Sequence, residues 1–252
     1  MMMSLRIIHE DDAIIAVSKS AGIATANVPA GEESVFTQVR GALGARGAGD
    51  RPFLGVVSRL DRPVSGVVVL AKTPAAAADL ARQFRDRTVE KTYVAVVEGR
   101  FPAPVDAWVE WSDHLERPRR GPSRPAAAGP ETPEARLRAR VLVRLGEVSL
   151  VELVPATGRR HQLRAQLAAR GCPIVGDRLY GSRLPFADGI ALHARVLTLS
   201  HPITRRRTML TADPPPSWHA RFAALLRHLP QGGEVDSVRR SAGGPRPSSD
   251  AG

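Results

Sequence analysis

Ser58-Arg59-Leu60-Asp61-Arg62-Pro63-Val64-Ser65-Gly66-Val67-Val68-Val69-Leu70-Ala71-Lys72 sets a carboxylate between two arginines and follows it at once with an unbroken apolar run. A short run as β-branched as Val67–Ala71 reads as a buried strand. Pro63, Ser65 and Gly66 mark a tight turn ahead of it. Asp61 therefore stands where the chain turns into the core. A carboxylate there needs partners, because an unpaired buried charge is costly.

Working outward, Leu5–Ile8 and Ala13–Val17 read as a hairpin about the acidic turn Glu10-Asp11-Asp12. Ser34 is placed to cap a helix with Val35, Val39 and Leu43 on one face. Gly41–Gly49 is glycine-rich but has no Gly-Lys-Ser/Thr ending, so it reads as a mobile loop and not a phosphate cradle. Val56-Val57 reads as a strand running into the opening stretch. Thr73-Pro74 starts a second helix, with Ala77, Leu80, Ala81 and Phe84 as its stripe. Lys91–Glu98, Val105–Trp111, Leu137–Leu145, Val148–Val154, Leu192–Leu199 and Met209–Thr211 read as strands. Arg159–Arg170 and the segment capped by Ser217 read as helices. Residues 116–133, rich in proline and arginine, read as a flexible surface insertion, and 230–252 as a disordered tail. Many strands with short connections and few helices make an α+β fold. It is built on a central, mostly antiparallel sheet with flanking helices, as one domain over 1–229.

The 252 residues are 43% hydrophobic, enough for a sizeable core. The net charge is +11, and only Lys19, Lys72 and Lys91 among the 36 basic residues are lysines. Arginine keeps its charge, forms planar forks that match phosphates, and stacks on bases. A polyanion, RNA or DNA ahead of a membrane, is the natural partner; a codon bias toward arginine is the alternative. Cys172 is the single cysteine, which excludes an intrachain disulfide and fits a reducing cytoplasm. The N-terminus lacks the pattern of a signal peptide, and no apolar run approaches the roughly 20 residues of a membrane span. The seven histidines show no metal-ligand spacing. No metal or cofactor is expected.

Three clusters could carry chemistry: Arg59-Leu60-Asp61-Arg62, Tyr93 within a strand, and Thr157-Gly158-Arg159-Arg160-His161-Gln162-Leu163-Arg164 at a strand-to-helix junction. Each has a plain alternative. Asp61 suits a structural ion pair, Tyr93 a core position with a satisfied hydroxyl, and the arginines a solvated helix face.

Together the clusters resemble the RluA class of pseudouridine synthases. Arg59-Leu60-Asp61 with Ser65-Gly66 is similar to that family's Arg-Leu-Asp…Ser-Gly motif, and Lys91-Thr92-Tyr93 to its Lys-x-Tyr strand. Residues 157–164 are similar to its Thr-Gly-Arg-x-His-Gln-Ile/Leu-Arg signature, and 173–181, Leu192-His193-Ala194 and His201-Pro202 to later runs. The motifs follow in order over residues 5–220. The resemblance implies a sheet carrying an RNA-binding cleft, and isomerisation of uridine to pseudouridine within ribosomal or transfer RNA. It implies Asp61 as the catalytic aspartate, Tyr93 as the aromatic residue on the base, and Arg164 as the arginine paired with Asp61. Arg59 matches a residue that enters the base stack when the target nucleotide leaves it. Arg62, Arg159, Arg160, His161 and Gln162 are the further candidates for RNA contact, and a monomer is expected.

The chemistry asks for these residue types. The N1–C1′ bond must break, the ring must turn, and C5 must bond to C1′. Asp61 must be ionised to attack C1′ or to act at the 2′ position, and a guanidinium beside it favours the charged form. Tyr93 can stack on the detached uracil, and its oxygen is a candidate for taking the C5 proton. The base has to leave its stack to be reached. The chain departs from the family pattern at Ser20, Ser58 and Gln166, and the small S4 domain that precedes the catalytic domain in many relatives is not expected. Two other classes stay open at this level: a non-catalytic RNA-binding or assembly protein on the same fold, and an enzyme acting on a free nucleoside. The strong positive charge argues against the second.

Overall fold

The computed structural model describes residues 5–47, 52–118 and 121–230. In chain order they form β1 (Arg6–Glu10), β2 (Ile14–Lys19), α1 (Val35–Ala45), β3 (Gly55–Val56), β4 (Ser65–Ala71), α2 (Pro74–Arg85), β5 (Glu90–Glu98) and β6 (Trp108–Glu116). There follow β7 (Arg124–Ala126), β8 (Glu134–Leu145), β9 (Val148–Pro155), α3 (Gln162–Ala168), β10 (Leu192–Ser200), β11 (Arg207–Thr211) and α4 (Pro216–Leu226). One sheet of 11 strands runs in the order β1-β2-β4-β10-β5-β9-β8-β6-β7, with β11 on β10 and β3 on β4. Neighbours are antiparallel throughout, except where β4 and β10 run parallel. The sheet is thus two antiparallel halves joined at one parallel seam.

The apolar run of β4 is unbroken because both of its faces are covered. Val67 and Val69 pack with Ala76 and Leu80 of α2. Val68 and Leu70 pack with Val35, Val39 and Leu43 of α1 on the other side. The alternation is the two-residue period of a strand. Ser34 caps α1 reciprocally with Thr37, and Thr73 caps α2 ahead of Pro74. The other half-sheet packs through Val94, Val96, Leu150 and Leu153 against a core that includes Trp218 and Phe222 of α4.

The parallel seam is locked by two residues of the opening stretch. Ser65 is buried and its hydroxyl lies 2.8 Å from Nδ1 of buried His193. Nε2 of His193 is 3.0 Å from the Ala212 carbonyl, which can only accept, so Nδ1 must accept from Ser65. Burial pulls the His193 pKa down to about 4, so the ring is neutral. Gly66 has φ +123°, and a Cβ there would collide with the Ala194 carbonyl oxygen and sit 2.5 Å from its amide nitrogen. Only glycine lets β4 and β10 approach this closely.

Several details differ from the sequence reading. Val56-Val57 does not run into β4; β3 is a separate short strand paired back onto it. Gly41 and Gly44 lie inside α1, whose apolar face outweighs their weak propensity. The Gly41–Gly49 loop reading therefore fails over residues 41–45, while Arg46 and Gly47 form a turn and Ala48 and Gly49 lie outside the described residues. Residues 116–133 are not simply a loose spacer: Arg124–Ala126 forms β7 on the sheet edge, registered with His114–Glu116. Pro125 is tolerated there because an edge strand leaves one side unpaired. Arg119, Arg120 and the expected tail from residue 231 on lie outside the described residues.

Folding also gathers His9, Asp11 and His201. Nε2 of each histidine lies 2.8 Å from Oδ2 of Asp11. Nδ1 of His201 accepts from the amides of Ile203 and Thr204. Its proton therefore sits on Nε2 and points at Asp11, so the ring has no lone pair to offer a metal there. The cluster is a clasp between the first hairpin and the β10–β11 turn.

Candidate active site

An open cleft of about 840 Å³ lies over the seam, lined by Arg59, Asp61, Arg62, Tyr93, Arg159, Arg160, His161, Gln162 and Arg164. Every residue that the sequence singled out for the site borders this one space. Register explains part of it. Tyr93 pairs with Ala194, and Ala194 with Gly66, so β5, β10 and the start of β4 form one row beneath the Asp61 turn.

That turn is held on both sides. Leu60 exchanges hydrogen bonds with the Thr25 hydroxyl, its amide donating and its carbonyl accepting at 3.1 Å. The Arg62 carbonyl accepts from the Gly22 amide at 2.8 Å, and the Pro63 carbonyl from the Ile190 amide at 3.1 Å. The ammonium of Lys19, buried beneath, donates to the carbonyls of Ser20, Ile23 and Arg62. Burial draws the Lys19 pKa down to about 7, with the charge of Asp61 pulling the other way. Asp61 itself stays partly exposed to the cleft. A carboxylate fixed by its neighbours in this way is held in one position at the cleft.

Arg164 comes up from α3 and is 5% exposed. Its Nη1 lies 3.5 Å from Asp61 Oδ2. Its main partner is another carboxylate: Nε and Nη2 grip the two oxygens of Asp177 at 2.6 and 2.8 Å. The Tyr180 ring lies 4.9 Å from the guanidinium carbon. Burial opposes the charge of Arg164, and the hydrogen bonds and charge of Asp177, with Asp61 behind them, keep its pKa above the ordinary value. The arginine is therefore a fixed cation whose Nη1 faces the Asp61 carboxylate.

The helix expected over Arg159–Arg170 is shorter than that, Gln162–Ala168, and residues 159–161 are not part of it. α3 begins only at Gln162, and His161 takes a left-handed φ of 53°. Arg160 therefore does not share a helical face with Arg164; it is exposed at the cleft while Arg164 is buried. The turn is braced by Gln162, whose Oε1 accepts from Thr157 and the Arg159 amide while its Nε2 donates to the Arg136 carbonyl. The Gln162 amide thus braces the junction from the wall of the cleft. His161 lies 3.7 Å from Asp61 Oδ2 through Nε2.

Tyr93 packs at the edge of the main core with its ring on the cleft wall. Burial, and then the charge of Asp61, raises its pKa to about 12. Arg59 is exposed on the cleft rim. Arg62 is also exposed and holds Glu32 at 2.9 Å. Arg85, Arg87, Lys91 and Arg117 add positive charge to the same cleft. Asp177 and Tyr180 are the site residues that sequence reasoning missed. Both lie in the quoted run 173–181, and a buried arginine without a second acid should have prompted the search.

A sequence profile described as RNA pseudouridylate synthase matches residues 13–169. The dual-specificity RNA pseudouridine synthase RluA of Salmonella typhimurium is 36% identical over 202 residues, 79% of this chain and 88% of that protein. The ribosomal large subunit pseudouridine synthase C of Rickettsia bellii is 32% identical, over 83% of this chain and 68% of its own length. Among solved structures, human RNA pseudouridylate synthase domain containing 4 superposes with a TM-score of 0.69 at 25% identity, over 89% of this chain and 92% of that one. With the motifs, the cleft and these relatives in agreement, the chain belongs to the RNA pseudouridylate synthase family and is an isomerase that converts uridine to pseudouridine in RNA.

Proposed function

We propose that Asp61 is the carboxylate that reacts at the ribose of the target uridine. The observation that carries this reading is its position: a partly exposed carboxylate on a braced turn, 3.5 Å from the buried Arg164, in a cleft ringed by cations. Arg164 holds the carboxylate oriented. Tyr93 offers its ring to the uracil while the glycosidic bond is open. Arg59, free on the rim, fills the gap left by the flipped nucleotide and offsets part of an unstacking cost of a few kcal/mol. Arg62, Arg159, Arg160 and His161 contact the RNA around the target. The β6–β7 hairpin extends that grip through Arg117.

The substrate in this reading is a uridine in ribosomal or transfer RNA, met by a monomer in the cytoplasm. Support comes from the basic cleft and from the names of the relatives, one dual-specificity and one for the large ribosomal subunit. No described helix is long and apolar enough to cross a membrane. The test of Asp61 is Asp61→Asn, which keeps size and hydrogen bonding but removes the charge. Pseudouridine formation is expected to vanish while RNA affinity changes less than about threefold; turnover at the wild-type rate sinks the assignment. Mapping pseudouridines in total RNA from a deletion strain identifies the substrate, because the lost position names the RNA.

A further inference from the structure

We propose that Lys91 and Arg87 together seat one phosphate of the RNA strand next to the target uridine. Lys91 lies two residues before Tyr93 on β5, so the two side chains leave the same face of the sheet, and both line the cleft. Its strand partner on β10 is Leu197. Val67, Val89 and Leu197 are buried and line the same part of the cleft. A Cβ built on Gly158 would lie 3.7 Å from Lys91 Nζ. The ammonium thus stands between the start of β5 and the turn Thr157–Arg160, among apolar side chains.

What singles out Lys91 is the partner it lacks. Lys19 donates to three carbonyls, and Lys72 to Glu10 and the Asp11 carbonyl. The arginines of α2 and of the β10–β11 turn are paired too: Arg82 and Arg205 share Asp79, and Arg207 holds Glu90. Among the described residues, nothing accepts a hydrogen bond from Lys91 and no carboxylate pairs with it. Burial, and then the like charge of Arg87, push its pKa below the ordinary value, with no acid opposing them. A half-buried cation whose charged neighbour is another cation is costly on its own. An anion held between the two removes that cost. In a cleft that takes RNA, that anion is a phosphate.

Arg87 adds a second, independent observation. It stands just past the end of α2, where its amide donates to the Phe84 carbonyl at 3.4 Å and the Thr88 amide to the Gln83 carbonyl at 3.0 Å. This pair of bonds is the helix ending whose outer residue turns left-handed, and glycine is the usual occupant. Arg87 holds that place with φ 59°. An arginine at a glycine position points to a use for its side chain. That side chain is exposed, lines the cleft and makes no ion pair among the described residues. Lys91 offers a point charge from the wall, and Arg87 a planar fork from the rim. The inference rests on the reading that the Asp61 cleft takes the target uridine. With the ribose at Asp61 and the base over Tyr93, the sugar–phosphate chain must run from the site to the surface, and these two cations stand along the start of β5.

The test is a methylphosphonate scan. The full-length enzyme, in excess, acts in single turnover on a synthetic stem-loop RNA bearing the uridine that the deletion strain identifies. One phosphate at a time is replaced by a neutral methylphosphonate. With the wild type, one linkage beside the target should raise the enzyme concentration for half-maximal rate by about tenfold, the effect of losing a charged hydrogen bond. Lys91→Met and Arg87→Gly should show that rise with unmodified RNA, and neutralising the same linkage should then add less than about twofold. The maximal rate should change less than about threefold, because neither residue touches the reacting atoms. The slope of log affinity against log salt should fall by about 0.7 in each variant and no further in the double variant, since one phosphate is shared. Arg87→Gly should melt no lower than the wild type, because glycine is at ease at that φ. If Lys91→Met does not fold, Arg87→Gly alone decides. Wild-type affinity in the variants overturns the proposal. So does a linkage penalty that persists unchanged in them, or a loss of affinity spread evenly over all linkages, which would make the two residues a general positive field. Turnover by Asp61→Asn with the linkage effect intact would instead defeat the assignment of Asp61 and leave the phosphate seat standing.

Discussion

Asp177 is 1% exposed and gives both carboxylate oxygens to Arg164. Removing one member of such a pair strands a buried charge, which costs about 3–5 kcal/mol. Asp177→Ala is therefore expected to lower the urea midpoint strongly, while Asp177→Asn keeps part of the fold and loses turnover because Arg164 is no longer aimed at Asp61. Denaturation and single-turnover rates on the two variants separate the effects. Lys19 makes a second residue-scale prediction. Its pKa of about 7 in the fold lies below its ordinary value near 10.5. Between those pH values the unfolded chain binds the extra proton, so this residue's contribution to stability rises with pH. In Lys19→Met that rise should be missing, which urea titrations from pH 7 to 10 would reveal.

Strand β4 carries the placement of the site at the scale of elements. Its first two residues join the halves of the sheet, and the turn before them carries Asp61. Gly66→Ala would force a Cβ into the Ala194 backbone and meet a φ of +123°. Loss of soluble folded protein is expected, measured by circular dichroism and yield; a variant with wild-type stability would show that the seam yields more easily than its geometry allows. The β6–β7 hairpin shows a different logic. Its composition reads as spacer, yet the Ser123 carbonyl just ahead of β7 accepts from Tyr180 and so reaches His161 on the cleft wall through one hydroxyl. Composition reports how a segment is solvated, whereas a backbone carbonyl acts through position, which composition does not encode.

Across the whole molecule, the clasp of His9, Asp11 and His201 ties the first hairpin to the β10–β11 turn, 190 residues apart in sequence. Burial of Asp11 opposes its charge, but hydrogen bonds from His9, the Ile14 and Ala13 amides and His201 outweigh it and hold its pKa well below the carboxylate range. Because the folded pKa is depressed, its stabilisation is present above a pH of about 4 and is lost as the pH falls further. Asp11→Asn is expected to cost about 1–3 kcal/mol at pH 7 and to flatten the acid end of the stability curve. Net charge also acts at this scale. If Arg159 contacts a phosphate, Arg159→Ala should weaken RNA binding and reduce the slope of log affinity against log salt by about 0.7.

The sequence by itself determined the family, the α+β class, the caps of α1 and α2, the first hairpin, the β8–β9 hairpin and the candidates Asp61, Tyr93 and Arg164. Those features are local: a two-residue or helical period, a cap, a turn residue, or a motif of contiguous residues. The cap expected at Ser217 fails, because α4 begins at Pro216 with Pro215 at its N-cap and Ser217 inside the helix. Only the tertiary structure decided what those residues face. It placed Asp177 as the main partner of Arg164, although Asp61 was the pairing that the motifs suggested. It gave Gln162 to bracing, ended the helical reading of residues 159–161, and folded part of the 116–133 segment onto the sheet. It also linked His161, through the Tyr180 hydroxyl, to a carbonyl 38 residues earlier in the chain. Hydrogen-bond direction depends on which donor meets which acceptor in space, and pairs so far apart in sequence leave no periodic trace along the chain.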